Sequence, residues 1–165
     1  MTQFYASSKS PEHYTPQYIL DRAKWIMGEY HDPALPGKTD GLTSVWTGAI
    51  FLNPPYGRGI EKWFSKLRDS VYQGKVREYI VLWKFAPETE AWRILMVHTN
   101  CIASPTTRLK FKNEFGVTGS GATFSSALFY YGPSKAHFIN AFYDCDIYEQ
   151  ISHALKISEA GAEHP

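Results

Sequence analysis

The sequence predicts an α/β protein, a single compact domain in which helices cover both faces of a mixed, mostly parallel sheet. Short uninterrupted apolar runs at 49–52, 79–83 and 101–103 are typical of strands that are buried on both faces. Between these runs, apolar residues recur at helical spacing. Strands that alternate with helices predict this fold class, and 165 residues suit one domain with one core.

The first predicted helix covers 15–27. Thr15 belongs to the residue types that cap helices, and Pro16 suits the first turn because the N–H that it lacks would have no partner there. Gly28 predicts the end of this helix. The stretch 29–48 is rich in proline and glycine, so we expect a long irregular connection with one very short strand.

The rest of the chain continues the alternation. The further predicted elements are a strand at 49–52, a helix at 60–71, a strand at 79–83, a helix at 88–97, a strand at 101–103, a strand or hairpin arm at 108–111, a strand at 123–131, and two helices at 134–143 and 146–157. The polar stretches 1–13 and 158–165 are predicted to be flexible tails. One domain is therefore expected over 14–157.

Charge and composition narrow the function classes. The chain has 17 basic and 16 acidic residues, a net charge of +1, so any nucleic-acid contact must rest on local basic patches and be sensitive to salt. No apolar stretch is long enough to span a bilayer, and the N-terminus lacks the apolar core of a signal peptide. Cys101 and Cys145 have no metal-ligand spacing and are expected to be reduced thiols. We expect a cytoplasmic protein without a metal.

The segment Asn53-Pro54-Pro55-Tyr56 stands between a buried strand and a helix, where α/β sheets bind ligands. The tetrapeptide could be a plain turn, but the flanking elements favour a chemical role. The amino nitrogen of adenine is a poor nucleophile because its lone pair is delocalised into the ring. Two acceptors aimed at its N–H bonds, the Asn53 side-chain oxygen and the Pro54 carbonyl, would draw it towards a tetrahedral geometry.

The same loop offers rigidity and a ring. The prolines hold both acceptors in place before the substrate arrives. Tyr56 presents a flat face on which a base can stack, and that base must be flipped out of a duplex to reach it. The chain has no Pro-Cys nucleophile motif, which argues against methylation of a cytosine ring carbon.

At this point the sequence resembles the phage-type DNA adenine methyltransferases, a Dam-like family of small single-domain enzymes. The resemblance covers about 14–132, and its landmarks follow in a specific order. They are Glu12-His13-Tyr14-Thr15-Pro16, Asp32-Pro33-Ala34, Asp40-Gly41-Leu42, Trp46-Thr47-Gly48, Phe51-Leu52-Asn53-Pro54-Pro55-Tyr56-Gly57, Trp63, Lys66, Glu88-Thr89-Glu90-Ala91-Trp92, Arg108-Leu109-Lys110-Phe111 and Ser125-Ser126-Ala127-Leu128.

The resemblance implies a Rossmann-like methyltransferase fold that uses S-adenosylmethionine to methylate the N6 amine of a flipped adenine in double-stranded DNA. It implies that Asn53, Pro54, Pro55 and Tyr56 are catalytic. The cofactor contacts that it implies are Tyr14, Thr15, Pro16, Asp32 and Asn53. The carboxylate of Asp32 would bind hydroxyl or amino groups of the cofactor, a role that acidic residues after a first strand commonly have. A turn residue before Pro33 is the alternative.

Basic residues near these motifs are candidates for contact with DNA phosphates. They are Arg58, Lys62, Arg108, Lys110 and Lys112. For the helix after the catalytic loop, a solvated charged face is the favoured interpretation. Two other functions also remain open: methyl transfer to another planar amine or amide, in an RNA base or a protein glutamine, and a catalytically degenerate module that only binds nucleic acid.

Overall fold

The computed structural model describes residues 15–35, 41–111, 118 and 123–150. Within these ranges the chain forms four helices and five strands. They are α1 (Gln17–Met27), β1 (Gly48–Leu52), α2 (Ile60–Tyr72), β2 (Val76–Lys84), α3 (Glu90–Leu95), β3 (Cys101–Pro105), β4 (Ser126–Tyr131), α4 (Lys135–Ala141) and β5 (Cys145–Glu149). The predicted tails at 1–13 and 158–165 lie outside the described residues.

The five strands form one sheet in the order β1-β2-β4-β3-β5. β1 and β2 are parallel, whereas β4 is antiparallel to both β2 and β3, and β5 is antiparallel to β3. The α/β class is thus confirmed, but the expectation of a mostly parallel sheet is wrong. The reason lies in β4, which runs back between β2 and β3 and makes an antiparallel pair on each side.

One edge of this sheet gathers three strand ends. Because β1, β2 and β3 run in the same direction, their carboxyl ends lie at the same edge, which we call the carboxyl edge. Asn53 follows β1 there, and Lys84 ends β2. On the outer side of β1, His31 forms an isolated parallel bridge with Ile50, in the stretch where a very short strand was predicted. That bridge brings the next residue, Asp32, towards the same edge.

Helices cover both faces of the sheet, as predicted. The buried side of α1, with Ile19, Ala23, Ile26 and Met27, packs together with α4 on one face. α2 and α3 pack together on the other face, around Phe64 and Leu67. The central strands contribute to both cores, since Ile80 and Leu82 belong to the first and Val81 and Trp83 to the second. No helix in the described ranges has the length and apolar character needed to cross a membrane.

The second C-terminal helix, predicted at 146–157, is wrong over its described part. Residues Cys145–Glu149 form β5, which pairs along its whole length with β3. The half-buried side chains of Cys145 and Ile147 alternate with exposed Asp146 and Tyr148, the period of a strand. Pairing with β3 makes this segment a strand, and the local sequence does not reveal that pairing. The remainder of the predicted helix, 151–157, lies outside the described residues.

A buried polar network ties the amino edge of the sheet to α4. The Tyr130 hydroxyl donates to Glu78 Oε1 at 2.6 Å and accepts the backbone N–H of Ser134 at 2.6 Å. Glu78 is only 4% exposed and Tyr130 is fully buried. Burying a carboxyl group is costly unless it is hydrogen-bonded. The hydrogen bond from Tyr130 therefore offsets part of the cost of desolvating Glu78.

Tyr130→Phe is therefore expected to lower the free energy of unfolding by about 2–4 kcal/mol, measured by urea denaturation, because the variant strips a partner from a buried carboxylate. Tyr79→Phe is the matched control. Within the described ranges, the buried Tyr79 hydroxyl bonds neutral groups, Thr99 Oγ1 at 2.9 Å and the Leu95 carbonyl at 3.3 Å. Its loss should cost about 1 kcal/mol. Equal losses in the two variants would contradict the special role of Glu78.

Candidate active site

Asn53 stands at the carboxyl edge, directly after the buried strand β1. Its side-chain Nδ2 donates to the Thr15 hydroxyl at 3.0 Å. That bond joins two segments that the sequence analysis assigned to one site although 38 positions separate them. Because the nitrogen faces Thr15, the side-chain oxygen lies on the other arm of the amide. Pro54 is buried and anchors the loop beside it.

Thr15 does not cap α1 as predicted. The cap position is Pro16, which makes no side-chain hydrogen bond, and the first backbone bonds of the helix run to the Pro16 carbonyl. The Thr15 hydroxyl instead accepts from Asn53. Tyr14, a third residue of this segment with a predicted role, lies outside the described residues.

Asp32 is a half-buried carboxylate beside this loop. The backbone bonds of the preceding residue, His31, with Ala49 and Phe51 hold it along the outer side of β1. Asp32 Oδ1 accepts the backbone N–H of Ala34 at 3.0 Å. Burial raises the pKa of the Asp32 carboxyl from 3.8 to about 6, and the bond from Ala34 opposes that shift. A carboxyl group whose pKa is raised by desolvation is a candidate for a functional role.

Several contacts hold the segment that lies against Pro33, the residue after Asp32. Gly41 lies so close to Pro33 that any side chain at 41 would collide with the Pro33 carbonyl. The Gly41 carbonyl accepts from the indole N–H of buried Trp46 at 2.8 Å. The Lys66 ammonium of α2 donates to the carbonyls of Leu42 and Ser44. Gly41, Trp46 and Lys66 are all landmarks of the resemblance, and they hold a segment that lies against Pro33, the residue after Asp32.

The ring of Tyr56 is stacked on two rings of the protein itself. Its centroid lies 4.7 Å from that of Trp83 and 5.1 Å from that of Phe124, with interplanar angles of 26° and 28°. Burial raises the pKa of the Tyr56 hydroxyl above its usual range, so the side chain is neutral. The sequence predicted an open ring face for a base, and the structure corrects this: the chain's own rings lie against Tyr56.

Lys84 belongs to this site, and the sequence analysis missed it. Its ammonium lies 5.0 Å from the ring centroid of Phe124, 5.5 Å from that of Tyr56 and 5.6 Å from that of Trp83. The ion pairs of the described residues do not include Lys84. A signal was present, because Lys84 ends the apolar run of β2 just as Asn53 ends that of β1. The first polar residue after a buried strand in an α/β sheet is a candidate ligand contact.

The predicted DNA contacts that the structure describes, Arg58, Lys62, Arg108 and Lys110, are exposed. Arg58 lies in the turn after Tyr56, where Gly57 at φ 142° and Gly59 at φ 89° adopt conformations that other residues avoid. Lys62 lies in the first turn of α2. Lys112 lies outside the described residues.

The predicted strand or hairpin arm at 108–111 is not a strand, but exposed and buried side chains alternate along it as the sequence pattern indicates. Arg108 and Lys110 are exposed, while Leu109 and Phe111 are buried in the core beneath α1. The segment follows the carboxyl end of β3, so both cations lie on the site's side of the sheet.

The chemistry of the site rests on amide, hydroxyl, carboxylate and ammonium groups. In the described part of the chain, no three His, Cys, Asp or Glu side chains are grouped to hold a metal ion. Neither a scan against protein-family models nor a search of curated proteins finds a match for this chain.

Proposed function

We propose that this protein transfers a methyl group from S-adenosylmethionine to the N6 amine of adenine in DNA. The observation that carries the proposal is the Asn53–Thr15 hydrogen bond. It brings the catalytic loop and the start of α1 together, at the edge where Asp32 also lies. These are the three segments to which the sequence resemblance assigns catalysis and cofactor binding.

The chain's own part in the reaction is to orient and polarise the amine. Thr15 fixes the rotation of the Asn53 amide by engaging its nitrogen, and the amide oxygen is the acceptor that we assign to the substrate's N–H. The Pro54 carbonyl supplies a second acceptor on the same short loop. Two acceptors held in a proline-stiffened turn need little reorganisation when the amine arrives. Both are neutral, so the proton that the alkylated amine gives up passes to water.

The residues at the edge suit the cofactor in chemical type. S-adenosylmethionine supplies a methyl group bonded to a positively charged sulfur, together with ribose hydroxyls and an ammonium group. Asp32 is an acceptor for such donors, and at neutral pH it is ionised in spite of its raised pKa of about 6. Thr15 and Pro16 would line the same side. In this arrangement Asp32 binds the cofactor and Asn53 orients the substrate's amine.

The proposal extends to the finer fold class. We assign the sheet to a small Rossmann-like methyltransferase arrangement. The support is that β1 and β2 are parallel, β3 shares their direction, and the candidate site lies beyond their carboxyl ends. The antiparallel β4 keeps the sheet mixed without moving any strand end away from that edge.

Transfer of isotope-labelled methyl groups tests the proposal. The purified chain is incubated with labelled S-adenosylmethionine and unmethylated DNA, which is then digested to nucleosides and separated. Label in N6-methyldeoxyadenosine is expected. Label found only in RNA or in protein glutamine would replace adenine with another planar amine or amide, and DNA binding without any transfer would favour a degenerate binding module.

The exposed cations after β3 give a prediction for DNA binding. The double variant Arg108→Ala/Lys110→Ala is expected to weaken DNA binding and to reduce the slope of log affinity against log salt by about 2, one unit per lost phosphate contact. Fluorescence anisotropy over a range of salt concentrations measures both quantities.

The matched control is Lys75→Ala/Arg77→Ala. These two exposed cations lie at the opposite edge, where β2 begins, and their loss changes the net charge equally. An equal loss of affinity in the two double variants would show that only net charge matters, and the assignment of Arg108 and Lys110 would fall.

A further inference from the structure

We propose that the Phe124 ring occupies the binding place of the substrate's base, and that it must leave Tyr56 for the base to enter. The inference rests on the proposed function and deepens it. It starts from the stack of Phe124 on Tyr56, at 5.1 Å between centroids and 28° between planes. A base stacked on a tyrosine ring adopts the same offset, near-parallel arrangement.

The two rings that contact Tyr56 differ in how firmly they are held. Trp83 lies within β2, is 5% exposed, and packs edge-on against Phe64 at 5.4 Å. Removing it from Tyr56 would disrupt the core under α2. Trp83 is therefore the fixed support of the Tyr56 ring.

Phe124 is held outside the sheet. It is half-buried between exposed Thr123 and Ser125, and the ladder between β2 and β4 begins only at Ser126. The backbone bond from Phe85 to the Ser125 carbonyl fixes the chain just after it. Rotation of the Phe124 ring away from Tyr56 would therefore break none of the backbone pairs between β2 and β4.

Lys84 supports the same assignment. Of the three rings around it, the Phe124 ring has the centroid nearest the ammonium, at 5.0 Å. A base in place of that ring would bring its own acceptors and its phosphate close to this cation. The favourable contact with an aromatic face would pass from Phe124 to the base.

The energetics give the direction of the effect. A base that displaces Phe124 loses the worth of one aromatic pair before it gains its own stacking on Tyr56. Removing the ring in advance removes that cost. Phe124→Ala is therefore expected to bind an unpaired adenine about 2- to 10-fold more tightly than the parent chain does.

Fluorescence anisotropy with short single-stranded oligonucleotides of deoxyadenosine tests this. A strand of the same length made of abasic residues has nothing to stack, and it should bind the parent chain and Phe124→Ala equally. Phe85→Ala is the control variant, because Phe85 is also a partly exposed ring at this edge but contacts Trp92 and Tyr148 instead of Tyr56. It should leave both affinities unchanged.

Unchanged or weaker binding of the deoxyadenosine strand by Phe124→Ala would overturn the proposal, since the ring would then be a support or a second wall of the pocket. Phe124→Leu keeps apolar bulk without a flat ring and should show a smaller gain in the same direction, which keeps the test open if the alanine variant unfolds. Methyl transfer is measured separately. Transfer without a gain in binding would sink only this inference, and a gain in binding without transfer would sink only the proposed reaction.

Discussion

Replacing Asn53 with alanine is expected to lower the rate of methyl transfer at saturating DNA and cofactor by about 10²- to 10³-fold, the usual cost of removing one preorganised polar group from a reacting centre. The fold should survive. The side chain is half-buried at a strand end, and its bond to Thr15 is worth about 1 kcal/mol. Single-turnover transfer and urea denaturation of the same preparation measure the two effects.

Thr15 supplies the control for that experiment. Thr15→Val keeps the shape of the side chain but removes the acceptor that orients Asn53, so the transfer rate should fall by about 10-fold. Thr15→Ser keeps the hydroxyl and should restore the parent rate. A Thr15→Val chain as fast as the parent would show that the hydrogen bond does not position Asn53. A fully active Asn53→Ala chain would remove the catalytic assignment itself.

The elements that sequence could predict are those whose local pattern and tertiary environment agree. α1 follows because Ile19, Ala23 and Ile26 recur at helical spacing and Gly28 adopts a positive φ of 74° at its end. β2 follows because an apolar run of this length must be buried on both faces. Neither inference needs knowledge of the neighbouring elements.

The elements that sequence missed depend on distant partners. The direction of β4 is set by which strands it lies between, and nothing in its own residues encodes that choice. β5 is a strand because it pairs with the side of β3 that faces away from β4. Five residues carry too weak a periodicity to reveal this alone. Such tertiary control explains why the class was predicted correctly while the proportion of parallel strands was not.

The site shows the same division. The Asn53 loop could be located because a proline pair ends a buried strand, a signal contained in one short segment. The Thr15 hydroxyl was assigned to the wrong task because capping is a local rule, whereas the bond to Asn53 depends on the packing of α1. The contact of Phe124 with Tyr56 joins residues far apart in the chain, so no local pattern could announce it.

Asp32→Asn is expected to change cofactor affinity and stability in opposite directions. The amide keeps the acceptor for the Ala34 N–H but loses the charge, so affinity for S-adenosylmethionine should fall by about 10- to 100-fold at pH 7.5. Isothermal titration calorimetry measures this. The same change removes a buried charge, so the free energy of unfolding should rise by about 1 kcal/mol, a value reduced for the partial exposure of the carboxylate.

The pH dependence of stability distinguishes an effect of the Asp32 charge from a simple packing effect. The folded pKa of Asp32, about 6, lies above the ordinary 3.8, so between these values the folded state binds more protons than the unfolded state does. The stability of the parent chain due to this group is therefore greatest below about pH 4 and is lost as the pH rises through 6. Asp32→Asn should be the more stable chain above pH 6 and should lose that advantage near pH 4.

Cofactor binding gives the complementary profile. Protonation of Asp32 discharges the acceptor, so the affinity of the parent chain should fall as the pH drops through about 6, while that of Asp32→Asn should stay flat over the same interval. If both chains showed the same profile, the titrating group would lie elsewhere and Asp32 would be only a turn residue. We therefore expect Asp32→Asn to raise the free energy of unfolding and to lower the affinity for the cofactor. This combination indicates that the Asp32 carboxylate destabilises the fold but binds the ligand.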